Sequence, residues 1–150
     1  MYNNLLHIHS WLRWAFLLAA LYPIVRSFYG MMYGKQFTKQ DNTAATILVA
    51  LAHTMLLLGI ILFFLSPTIQ GALEQGMSAI MKDPTLRPLV IEHPACMIIS
   101  VALIQIGRIK SKSAYEDRVK HRRTYMYYGI ALIIILSMIP WESAPLMRGV

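Results

Sequence analysis

The 150-residue sequence contains one cysteine, Cys96, and only 7 acidic residues. A single thiol excludes an internal disulfide and any iron–sulfur or zinc site that needs several cysteines. The chain also lacks a His-Glu-x-x-His zinc motif, a glycine-rich phosphate loop and a nucleophile with an attendant base, so a conventional hydrolase or transferase is not expected. Charge is scarce: charged residues make up 14% of the sequence and hydrophobic ones 57%. That balance is too oily for a water-soluble domain of this length.

What the sequence does have is long apolar runs. Thr43 to Leu65 carries no charge and exceeds the ~20 residues needed to cross a bilayer's hydrocarbon core. Leu6 to Phe28 and Pro88 to Ile109 are of similar length with two charges each, Arg123 to Pro140 is the shortest, and Tyr115 to His121 extends it beyond the bilayer surface. The runs are continuous, whereas barrel strands alternate, so the spanning elements are helices. The reading is one all-α membrane domain, residues 1–150, a four-helix antiparallel bundle.

No Lys or Arg precedes Arg13, so the first span lacks the basic start of a signal peptide and is expected to be retained. Ten of the 14 Lys and Arg residues fall in the segments Arg26 to Asn42 and Arg108 to Arg123. The positive-inside rule makes these cytoplasmic and puts both termini outside. The net charge of +7 then serves topology and anionic headgroups, and nucleic-acid binding is not expected. In the Ser66 to Arg87 segment, Ile69, Leu73, Met77 and Ile80 recur at helical spacing between prolines. This predicts a short amphipathic helix on the outer surface, closing the bundle as a lid or walling a ligand site. Most of the tryptophans and tyrosines, Trp11, Trp14, Tyr22, Tyr128 and Trp141 among them, lie near span ends and read as interface anchors.

Each predicted span, with its extension, carries histidine: His7 and His9 in the first, His53 in the second, His93 in the third and His121 in the fourth. Ionisable groups at membrane depth mark functional sites by default. Two neutral imidazoles from two helices can grip haem iron while the macrocycle lies in the apolar bundle. His9 and His93 differ in predicted height by roughly 5 Å and pair readily, whereas His53 and His121 differ by roughly 9 Å at 1.5 Å per residue. Helix tilt of about 20° absorbs part of that second mismatch. The candidate metal ligands are therefore His9 with His93 and, less comfortably, His53 with His121.

The neighbours of these histidines admit two readings each. Arg13 lies one turn from His9 and either pairs with a haem propionate or snorkels to phospholipid. Arg108, with Arg122 and Arg123, either holds an inner haem's propionates or only sets topology. Cys96, Met97, Ser100 and Gly107 beside His93, like Ala50 and Gly59 beside His53, either admit a macrocycle or let helices pack closely. Glu92 exchanges protons near a quinol pocket or caps its helix. His7 faces away from His9, in a supporting or surface role or a copper or zinc site.

The segments LLHIHSWLRW (5–14), AHTMLLLGIILFFLSP (52–67), EHPACMIISVALIQIGR (92–108) and KHRRTYMYYGIALIIILSMIPW (120–141) resemble a family of small four-helix bacterial membrane proteins of Bacteroidetes type labelled cytochrome b. The likeness covers nearly the whole chain. It implies haem b, one or two per chain, and electron transfer in the inner membrane between quinol or an outer donor and a partner, with other respiratory or membrane-complex subunits as neighbours. It suggests the same two histidine pairs as axial ligands. No Cys-x-x-Cys-His occurs, so covalent haem attachment is not expected. The alternative is a non-redox accessory subunit, or a metal or proton conduit, whose histidines hydrogen-bond between helices.

Overall fold

A computed structural model describes residues 1–139. The described chain is helical, with four long helices: α1 (Tyr2–Tyr33), α2 (Lys39–Leu65), α5 (His93–Lys112) and α6 (Asp117–Ser137). Two short ones, α3 (Pro67–Glu74) and α4 (Met77–Lys82), link α2 to α5, and a π-helical turn at Pro88–Glu92 leads into α5. A helix occupies each of the four predicted segments, reaching beyond the predicted bounds at the polar ends of α1, α2, α5 and the start of α6. The end of the fourth span at Pro140, the Trp141 anchor and the C-terminus lie outside the described residues.

Local chemistry sets the boundaries. Thr38 and Asp41 form a reciprocal capping box at the start of α2, each side chain satisfying a backbone N–H that the first turn leaves free. Ser66 ends α2 and caps α3 through the backbone N–H of Ile69, with Pro67 in the first turn. The predicted single helix over this loop is broken in two at Gly76, whose φ of 88° belongs to glycine. The break resets the register. Ile69 and Ile80 are buried with Ala72 and Val90, while Leu73 and Met77 turn outward.

Helix α1 packs on α2 and α6, and α5 packs on the same two. The four therefore form a ring in which α1 faces α5 and α2 faces α6 across the diagonals. Short links after α1 and α5 make their successors antiparallel. Inward positions recur every three or four residues: Arg13, Phe16, Ala20, Pro23, Ser27 and Gly30 in α1, and His121, Thr124, Tyr128, Ala131 and Ile135 in α6. This is the spacing of helices packed nearly parallel.

The bundle's polarity is inverted. Serines 27, 100 and 111, Thr124, His121 and Arg13 are buried, whereas Leu18, Phe64 and Ile133 are each 69% exposed. Small and polar residues inside with bulky apolar ones outside suit a lipid surround. Helices α1, α2 and α5 with its π turn are long and apolar enough to cross a membrane. The early turns of α6 carry Arg118, Lys120, Arg122 and Arg123, which lower its hydropathy, although Ile130 and Ile133 further along face outward.

Candidate functional site

One end of the bundle, which α3 and α4 cover, is the lid end; the other, with the links 34–38 and 113–116, is the basic end. At the lid end the inward stripe of α1 extends backward from Phe16 through Arg13 to His9. On α5 the inward Ser100 and Ile104 extend backward through Met97 to His93. His9 and His93 thus lie on facing helices at the same end, and His9, His93 and Arg13 stand close enough to feel one another electrostatically.

Each ring is held differently. The Nδ1–H of His93 donates to the carbonyl of Met138, just past α6, at 3.1 Å. Donation to a carbonyl fixes the tautomer and leaves the lone pair on Nε2, the arrangement common among metal-binding histidines. The His9 ring packs against α2 at Gly59, where an added Cβ would sit 3.6 Å from His9 Cε1. The π turn before His93 places its backbone N–H on the carbonyl of Pro88, and wide turns of this kind favour functional positions. Beside it, Glu92 pairs with Arg87 at 2.8 Å, which engages the carboxylate that the sequence offered to a quinol pocket or a helix cap.

On these two facing helices His9 Nδ1, Arg13 Nε and Nη2, and Ser100 Oγ are buried without a hydrogen-bond partner, as is Arg108 Nη1 toward the basic end. Elsewhere the interior is better satisfied. Thr124 donates to Ser111 at 2.9 Å and the Tyr128 hydroxyl to the Ala45 carbonyl at 3.2 Å. Tyr128 is thereby an interior residue and no interface anchor. Since buried polar groups ordinarily find partners, the gathering of His9, Arg13 and Ser100 makes the α1–α5 diagonal toward the lid end the largest chemically incomplete region of the described bundle.

The structure does not bring His53 and His121 together. His53 is exposed on α2, one position past the inward Ala52, and its Nδ1–H donates to the Val49 carbonyl of its own helix at 2.8 Å. His121 is fully buried. Its Nε2 faces the Gln36 carbonyl at 3.4 Å and its Nδ1 the Ser27 hydroxyl at 3.5 Å, while Phe37 packs on the ring with centroids 4.9 Å apart. Both nitrogens are engaged, so His121 ties α6 to α1 and to the link after it.

Arg108 is engaged through one nitrogen, its Nη2 donating to Asn42 at 2.7 Å and Thr46 at 3.0 Å across to α2, while its Nη1 has no hydrogen-bond partner. Arg123 donates to the Lys110 carbonyl, and Arg122 is exposed. His7 lines a shallow outward hollow with Ile8, Trp11, Leu12 and Ala15. Among the described residues no group of three or more His, Cys, Asp or Glu side chains is placed to hold a metal ion, so any metal here would rest on two imidazoles. The Met138 carbonyl and the Ser27 seat of His121 escaped the sequence reading. The three-and-four spacing of small residues in α1 was the signal that could have located the second.

No protein-family model, no curated protein and no solved structure matches this chain.

Proposed function

We propose that this chain is a membrane cytochrome b that holds one haem b between His9 of α1 and His93 of α5 at the lid end. The observation that carries the reading is the pair of histidines across the diagonal, with His93 oriented through Nδ1 by Met138 and unpartnered Arg13 nitrogens one turn from His9. The residues present fit the group: imidazoles for axial ligation, a guanidinium for a propionate, and no side chain on Gly59 to crowd His9. Bound haem would supply a one-electron couple at iron. The chain's residues would orient the ligands, exclude water with the lid and neutralise carboxylate charge.

In this reading α6 is a fourth span, its basic start lying at the membrane surface. The lid end and both termini are periplasmic, and the basic end faces the cytoplasm of a bacterial inner membrane. Electrons would pass between quinol or an outer donor and a neighbouring respiratory or membrane-complex subunit. A second, inner haem is not part of the proposal, because His53 is exposed on the outer face of α2 and both nitrogens of His121 are engaged in hydrogen bonds.

The hydrogen bonds of His121 to α1 and the link after it favour the second reading, a non-redox accessory subunit or a metal or proton conduit. Visible spectra of the protein in mild detergent, oxidised and dithionite-reduced, separate the two. The cytochrome gives sharp reduced α and β bands that disappear in His9→Ala and His93→Ala and persist in His53→Ala. A folded, colourless wild-type protein that takes up no haem on reconstitution would rule it out.

A further inference from the structure

We infer that the Nε–Nη2 edge of Arg13 is a binding site for the carboxylate of an apolar ligand inserted into the lid end of the bundle. The inference deepens the haem reading without depending on it. A haem propionate and a free long-chain carboxylate share the chemistry that Arg13 recognises.

Arg13 stands about 17 Å along α1 at 1.5 Å per residue, and only 9% of it is exposed. A snorkelling arginine would reach toward the surface and keep its head in water; this one stays inside. Its guanidinium remains charged, and an unpaired charge in a membrane interior is costly enough to require a partner. The two unpartnered nitrogens, Nε and Nη2, share one edge of the planar group. Their N–H bonds run parallel, the geometry that meets the two oxygens of a carboxylate. Trp14 lies 5.7 Å from the guanidinium carbon and offers an aromatic wall.

The chain's described acids do not supply the anion. Asp41 pairs with Arg26, Glu92 with Arg87 and Asp117 with Lys120; Thr85 engages Asp83; Glu74 and Glu116 are exposed at helix ends. Glu142 lies outside the described residues. A helix of 32 residues overhangs a ~30 Å hydrocarbon core by some turns at each end, which places Arg13 below the headgroup level. A planar monoanion on an apolar body suits that depth better than a phosphate, which holds more water.

The test measures octanoate, octanol and inorganic phosphate binding to the full chain in mild detergent by calorimetry. Haem-free protein is expected to bind octanoate at least tenfold more tightly than octanol, without phosphate competing. Arg13→Lys, which keeps the charge and loses the fork, should erase that preference, and the wild-type comparison stands alone should the variant fail to fold. Haem-loaded protein that no longer binds octanoate identifies a propionate as the occupant; undiminished binding identifies a free carboxylate. Equal binding of octanoate and octanol, an unaltered preference in Arg13→Lys, or displacement by phosphate overturns the inference. So does octanoate binding that appears only in Glu142→Gln, because the chain's own carboxylate would then fill the edge. A colourless protein that prefers octanoate sinks the haem reading alone.

Discussion

The imidazole of His121 occupies the space that a side chain on Gly30 would take: a Cβ added to Gly30 would overlap the ring. The backbone of α1 is thus the floor of a slot whose other contacts are Ser27, Gln36 and Phe37. Gly30→Ala is expected to destabilise the bundle by about 1–3 kcal/mol, the usual cost of overpacking. In His121→Ala the same substitution should be much less costly, since the clashing ring is gone. Detergent-titrated unfolding of the four proteins measures this coupling. Additive effects would mean that the ring and the glycine are not in contact.

His53 offers the opposite expectation. It is exposed on a lipid-facing surface and bonded within its own helix, so His53→Leu should change stability by no more than about 0.5 kcal/mol. Any haem bound should be retained in full. Loss of chromophore from this variant would mean that α2 turns His53 inward when the protein is loaded.

Why one histidine pair was readable and the other was not follows from the helices that carry them. Depth along a helix can be counted from sequence, and counting placed His9 and His93 within roughly 5 Å of one another at 1.5 Å per residue. Facing cannot be counted in α2, where Ile47, Leu48, Val49, Leu51 and Leu57 surround the helix with oil and leave no polar face to mark the outside. The bundle's true marker is small residues, Ala45 and Ala52, and His53 misses that stripe by one position, or about 100° of rotation. His121 stands on the inward stripe of α6, yet nothing in its own neighbourhood reveals that Ser27 and Gln36, 94 and 85 residues away, close around it with Gly30 and Phe37. The lid failed differently. Its apolar spacing was real, but Gly76 interrupts the helix that the spacing assumed.

The cap of α2 is a purely local device, and its removal should cost a local amount. Thr38 accepts from the backbone of Asp41 at 3.3 Å, and Asp41 accepts from the backbone of Thr38 at 2.8 Å. Thr38→Ala is expected to lower stability by about 1 kcal/mol. Arg26→Gln should cost more, because Asp41 is buried and Arg26, at 3.1 Å, is its charged partner. Unfolding titrations that rank the two in the reverse order would count against the ion pair.

The turn before the π segment should respond to acid. The side-chain and backbone hydrogen bonds from Thr85, then the backbone N–H of Leu86, hold the Asp83 carboxyl below its usual range. A carboxyl with a depressed folded pKa adds stability above the ordinary value of about 3.9. That contribution fades as pH falls toward and through the lower folded value. Carboxyl-carbon NMR of Asp83 should show a titration below the ordinary midpoint, and Thr85→Val should move it upward. A midpoint unmoved by that substitution would remove the hydroxyl from the account.

Gly59 tests the lid-end site itself. A Cβ at this position would meet His9 Cε1 at 3.6 Å, an ordinary contact, so Gly59→Ala should fold and behave as the wild type does. A longer side chain cannot share that space with the ring. Gly59→Leu is expected to push His9 off the α1–α5 diagonal while leaving His93 on the Met138 carbonyl. The protein should then keep its helical circular dichroism and lose or alter the reduced α band, since one axial imidazole is displaced and the other is not. Gly59→Leu with an unchanged spectrum would place the axial ligand elsewhere than on His9, whatever pigment the protein proves to hold.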